Sequence, residues 1–106
     1  MTRLILCGLV VAAALLLPPV ADARAEQLKV TIDNFTFSPA ELKVKVGDTV
    51  TWTNHDDIPH TVVSAGKFRS KTMDTDNDFS FTFTTAGDYK YFCSLHPHMA
   101  GMIKVE

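Results

Sequence analysis

The sequence is poor in cysteine. Its 106 residues hold only Cys7 and Cys93, and they are not expected to staple a domain together, because Cys7 lies inside an apolar N-terminal run that reads as a leader. A surplus of basic charge is also missing. Ten Lys and Arg stand against twelve Asp and Glu, which removes the clustered cationic face that nucleic-acid binding requires. Low-complexity segments, internal repeats and blocks of like charge are absent, so no linker divides the chain and a single small domain is expected after the leader. Convincing helical periodicity is absent too, and one short turn of helix around Arg69 to Asp74 is the most the sequence allows.

What is present begins with the leader. Met1 to Arg3 is basic, Leu4 to Val20 is almost continuously apolar, and the small residues of "ADARAE" follow, the order of a secretory signal peptide. Ala23-Arg24-Ala25 fits an A-x-A cleavage site, so residues 1–25 are read as the signal and 26–106 as the mature domain, with cleavage after Ala23 the nearby alternative. An uncleaved anchor is the other reading, and Pro18, Pro19 and the shortness of the run weigh against it. Cys7 precedes most of the apolar run, whereas a lipidated cysteine would follow it. Arg3, Arg24 and Asp22 leave with the leader, so the mature domain carries a net charge of about −3. Export places it in the periplasm.

Export also isolates Cys93. An unpaired thiol in an oxidising compartment needs burial, a partner on another chain, or a metal. Its surroundings, "YFCSLHPHM", put one cysteine, two histidines and a methionine within seven residues.

Strand signals fill the rest of the chain. In "ELKVKVGDTVTWTN", Leu42, Val44 and Val46 alternate with Glu41, Lys43 and Lys45, and after Gly47-Asp48 the alternation resumes as Val50 and Trp52 against threonines. Period two broken by Gly-Asp predicts a hairpin or a sharp corner between strands. In "FSFTFTTAGDYKYFC", Phe79, Phe81 and Phe83 share a face expected to be core, Ala86-Gly87-Asp88 turns the chain, and Tyr89, Tyr91 and Cys93 share a face of the next strand. Strands are also expected at Gln27 to Phe35, where the sequon "NFT" at Asn34 is taken as chance, and at Met102 to Val105. Several short strands with mixed turns imply an all-β, antiparallel Greek-key β-sandwich. Cys93 then ends a strand, "SLHPH" forms the loop after it, and Met99 stands just before the last strand.

Such a loop can present a thiolate, an imidazole and a thioether to one ion. Two nitrogens and a thiolate in a trigonal array, with a weak axial methionine sulfur, make a blue-copper electron-transfer site. "NHDDIPHTVV" offers His55 or His60 as the second histidine. His60 is preferred because it leads directly into Val62-Val63, whereas His55 sits among Asn54, Asp56 and Asp57 in what reads as a solvated turn.

"VGDTVTWTN", "PHTV", "GDYKYFC" and the Cys-x2-His-x2-Met loop followed by "AGMIKVE" resemble the cupredoxins, the plastocyanin- and azurin-like blue copper proteins, and among them most of all the short-loop amicyanins. The likeness spans the mature chain. It implies one mononuclear type 1 copper held by His60, Cys93, His96 and Met99, and a one-electron carrier rather than an enzyme. Its partners would be transient redox proteins of dehydrogenase or cytochrome type, with no nucleic acid and no stable membrane association, and the carrier would be a monomer. Gly101 fits the family's Met-x-Gly and favours Met99 over Met102 as the axial ligand. Two departures stand out: the mature chain lacks an N-terminal extension that amicyanin carries, and Thr61 follows the first histidine where many relatives have an asparagine that ties the ligand loops together. By the same likeness His96 would reach the surface through an apolar patch, to which Pro59, Pro97, Met73 and Ala100 are candidate contributors. Copper delivery without redox turnover and a catalytic copper or zinc site are the competing readings. The lone cysteine with a single matching methionine weighs against the first, and a coordination sphere largely filled by Met99 against the second.

Overall fold

A computed structural model describes residues 27–106; the expected signal peptide and its cleavage site lie outside the described residues. Among the described residues, nine strands account for the regular structure: β1 Gln27–Asp33, β2 Thr36–Ser38, β3 Glu41–Val44, β4 Thr49–Asn54, β5 Val63–Ser64, β6 Phe68–Arg69, β7 Asp78–Thr82, β8 Gly87–Cys93 and β9 His96–Val105. They form two sheets, ordered β2-β1-β4-β7 and β3-β9-β8-β5-β6. The one helical turn the sequence allows, around Arg69 to Asp74, does not form; β6 and an isolated bridge between Met73 and His60 occupy that stretch.

Two of the sheet pairings correct the expectation of an antiparallel sandwich. β1 runs parallel to β4, with Val30 opposite Trp52, and β3 runs parallel to β9, with Leu42 opposite Ile103. Both follow from corners that carry the chain from one sheet to the other. At Gly47-Asp48 the strand β3 leaves one sheet and β4 enters the other, so this turn is a corner and not a hairpin. Gly47 adopts a φ of +100°, open to glycine at low cost. The Asp48 carboxylate accepts the Lys45 N–H at 2.8 Å, and Gly47 N–H donates to the Phe83 carbonyl at 2.7 Å. The second corner, between β7 and β8, is pinned by the Tyr89 hydroxyl donating to the Thr85 carbonyl at 2.7 Å. The first strand also ends sooner than its sequence implies: Asn34 and Phe35, at φ of 52° and 58°, form an exposed turn into β2, so the sequon at Asn34 lies on a turn.

The alternating residues meet between the sheets. Val30, Ile32, Phe37, Val50, Trp52 and Phe83 from one face Val44, Tyr91, Cys93, Ile103 and Val105 from the other, all buried. Trp52 and Phe37 meet the Tyr91 ring at 5.3 and 4.8 Å between centroids, bringing the aromatic core up to the residue two before Cys93. Of the three phenylalanines expected in the core, Phe83 is fully buried, while Phe79 and Phe81 are half-buried on edge strand β7. Val46 lies beyond the end of β3 and is 50 % exposed, outside the face its alternation assigns it to.

Candidate metal centre

Cys93 is the last residue of β8, and the chain turns back at once. Only Ser94 and Leu95 separate β8 from β9, which begins at His96, and Cys93 pairs with His96 across a register shift. The expected five-residue loop is therefore a tight hairpin, and Met99 is already inside the last strand. This fixes the distance between thiol and imidazole: Cys93 Sγ lies 3.7 Å from His96 Nδ1.

The third donor comes from the segment that joins the two sheets, between β4 and β5. After β4 the chain loops through 55–59, and His60 is held by a two-way backbone bridge to Met73, with N···O distances of 3.1 and 2.8 Å. The loop is shaped from inside by Asn54, fully buried, whose amide donates to the carbonyls of Ile58 and Met73 at 3.0 Å each. His60 is itself fully buried, and its Nδ1 lies 3.7 Å from Cys93 Sγ. One donor atom each from His60, Cys93 and His96 can be chosen so that all lie within 4.8 Å of one another. The centre of such a triangle is about 2.0–2.4 Å from its corners, matching the roughly 2.0–2.3 Å over which imidazole nitrogen and thiolate bind transition metals. Met99, buried in the core cluster, follows His96 by three residues on β9. Met102 instead lines a surface depression with Ala40, Glu41, Lys90 and Gly101.

The thiol is prepared for a metal. Burial pushes its pKa up, but the Thr61 backbone N–H at 3.3 Å, the two imidazoles and the Leu95 backbone outweigh burial and bring it down to about 6. A thiolate is therefore available at neutral pH. Thr61 also ties the two ligand loops together. Its hydroxyl accepts the Ser94 N–H at 2.8 Å, shares a hydrogen bond with the Ser94 hydroxyl at 2.8 Å, and lies 3.7 Å from Cys93 Sγ.

His60 is the histidine brought to the cluster; His55 is exposed and lies 3.9 Å from Asp76. His98 is exposed. Met73, expected on the surface patch, is 3 % exposed, because its bridge to His60 turns it into the core. The large apolar side chains that do reach solvent beside the centre are Leu95, next to His96 in sequence, and Phe35, at 49 % and 50 % exposure. The Phe35 ring meets both imidazoles edge-on, 5.0 Å from His96 and 5.6 Å from His60. Sequence reasoning missed Phe35, since it reads as the end of a strand.

Asp56 was missed as well. It is buried, accepts from Asn34 N–H at 2.6 Å and Phe35 N–H at 3.0 Å, and lies 2.7 Å from His60 Nε2. Burial raises its pKa, but these bonds and the nearby imidazole bring it down to about 2. The only sequence signal for it was the spacing of four residues to His60.

A two-sheet sandwich that gathers two imidazoles and a thiolate at one end, with a methionine close in sequence, defines a mononuclear type 1 copper protein of the electron-carrying class. The chain belongs to the cupredoxin-like domain family, whose pattern it matches over residues 6–105. It is 37 % identical to amicyanin of Paracoccus versutus over 92 residues, covering 81 % of this chain and 70 % of the relative. It is 35 % identical to a chloroplastic plastocyanin of Tetradesmus obliquus over 96 residues, 77 % of this chain and 66 % of that one. Among solved structures, a purple cupredoxin from Nitrosopumilus maritimus superposes with a TM-score of 0.72 at 34 % identity, covering 74 % of this chain and 99 % of the other. A structure of an oxidised amicyanin variant gives 0.72 at 38 % identity, over 74 % and 81 %. The protein is thus a carrier and not an enzyme.

Proposed function

We propose that His60, Cys93, His96 and Met99 hold one copper ion and that the mature domain, residues 26–106, passes single electrons between redox proteins in the periplasm. The observation that carries this reading is the triangle of Nδ1, Sγ and Nδ1 drawn from the β8–β9 hairpin and the β4–β5 connection, with 3.7 Å on each thiol–imidazole side. A bound copper supplies a Cu(II)/Cu(I) couple. The chain's part is to keep the donors in one arrangement through both states, so that little nuclear rearrangement accompanies each transfer. Cys93 and His96 are fixed by a two-residue hairpin, His60 by its bridge to Met73, and the two loops by Thr61 and Ser94. Met99, buried three residues after His96 on β9, would supply a thioether as the fourth donor.

His96 is the exit toward a partner. It is half-buried where His60 and Cys93 are sealed, and Phe35 and Leu95 stand exposed nearby. A small apolar collar around one imidazole suits a brief encounter that buries little area, and the acidic balance of the domain favours a partner with a basic face. The domain acts as a monomer once residues 1–25 are removed.

Adding one equivalent of Cu(II) to the exported protein should produce an intense visible band and a reversible one-electron couple in voltammetry. Cys93→Ser should bind copper without that band, since the band needs a thiolate donor. A wild-type protein that stays colourless, or a Cys93→Ser protein with an undiminished band, would sink the proposal.

A further inference from the structure

The buried carboxylate behind His60 belongs to none of the four ligands, yet three nitrogen donors converge on it. Asn34 N–H donates to Oδ1 at 2.6 Å, Phe35 N–H to Oδ2 at 3.0 Å, and His60 Nε2 lies 2.7 Å from Oδ2. Its position is set without the histidine. The Asp56 N–H donates to Asn54 Oδ1 at 2.9 Å, its carbonyl accepts from the Thr75 hydroxyl, and two consecutive residues at positive φ, Asn34 and Phe35, aim their N–H groups at it. The imidazole is therefore the partner that adapts.

We propose that Asp56 is a positioning residue for the copper site: it fixes the tautomer and ring orientation of His60, and its charge favours oxidised over reduced copper. This rests on His60 being a ligand. An ionised carboxylate only accepts, so the ring nitrogen facing it carries the proton. A neutral imidazole has a single N–H, so Nδ1 keeps its lone pair, and Nδ1 is the nitrogen facing Cys93 Sγ at 3.7 Å. A carboxylate on the far nitrogen of a metal-bound histidine also raises the ring's basicity. At 9 % exposure the Asp56 charge is poorly screened, so it stabilises the more highly charged ion. The same carboxylate sets the turn that lays Phe35 against both imidazoles.

Asp56→Asn tests the idea, because an amide offers one acceptor oxygen where three donors now converge and turns an N–H toward one of them. Long-range proton–nitrogen NMR of the copper-free, nitrogen-15-labelled wild type should show His60 as a single tautomer with the proton on Nε2; Asp56→Asn should show a mixture. The variant loaded with copper should shift its Cu(II)/Cu(I) equilibrium at least tenfold toward Cu(I), a rise of about 59 mV for a one-electron couple. Asp56→Glu, which keeps the charge, should recover part of that shift. A wild-type His60 protonated at Nδ1 would overturn the proposal even if the variants fail to fold, and so would an Asp56→Asn protein with unchanged tautomer and potential. Titrating the wild type with Cu(I) separates the two readings. A His60 Nδ1 signal that does not move would overturn the ligand assignment, and with it the electronic half of the proposal, while the tautomer result stands by itself.

Discussion

Thr61→Val removes one oxygen atom from the joint between the two ligand loops and replaces it with a methyl group of nearly equal volume. In the wild type that oxygen accepts the Ser94 N–H and bonds the Ser94 hydroxyl, both at 2.8 Å, and approaches Cys93 Sγ at 3.7 Å. Thr61 is only 4 % exposed, so the loss is not repaired from its own side by water. Each lost hydrogen bond costs about 0.5–1.5 kcal/mol net, and a donor stranded away from water up to about 3. The added methyl returns something under about 0.8 kcal/mol by burial. The expected net destabilisation of the copper-free protein is about 1–2 kcal/mol, which in a domain of this size lowers Tm by roughly 4–16 °C. Urea denaturation of the copper-free protein measures it directly: the midpoint should fall with the slope unchanged. The Thr61 N–H still reaches Cys93 Sγ at 3.3 Å, so the variant should still take up copper and turn blue. A midpoint equal to wild type would show that the Thr61–Ser94 contact does not hold the loops together.

Two further outcomes are expected. Met99→Gln should keep copper bound while lowering its reduction potential, because an oxygen donor favours Cu(II) over a soft thioether; an unaltered potential in voltammetry would point to Met102 or to no axial methionine. Gly101→Ala should destabilise the fold by about 1–3 kcal/mol in thermal melts, since a Cβ there falls on the Tyr91 ring and lies 3.0 Å from the Ala40 carbonyl oxygen. A melt that matches wild type would mean the ring moves aside freely.

Local alternation was enough to reveal most strands. Leu42 and Val44, Val50 and Trp52, and Tyr89, Tyr91 and Cys93 all carry period two, and all but Leu42, which is half-buried, are buried. Pairing was less legible, because whether β1 runs beside β4 is decided by corners at Gly47-Asp48 and by packing across the sandwich, and neither changes the period of either strand. Three of the four candidate ligands were legible because they cluster within seven residues, and His60 because an apolar strand follows it. Asp56 was not. It sits in "NHDDI", where composition says solvent, and only the approach of a turn 21 and 22 residues earlier encloses it. Phe35 was hidden for a similar reason: a residue reading as the end of a strand became an exposed turn residue when the chain turned at Asn34. Met73 failed in the opposite direction, drawn inward by its bridge to His60.

The central claim is that one copper ion sits among donors that the β8–β9 hairpin and the β4–β5 connection bring together. Crystals of the copper-loaded protein, measured on both sides of the copper absorption edge, test it most directly. A single anomalous peak bonded to His60 Nδ1, Cys93 Sγ and His96 Nδ1, with the Met99 sulfur as a longer fourth contact, is the predicted result. A peak elsewhere on the molecule, or one that leaves Cys93 Sγ uncoordinated, would contradict it.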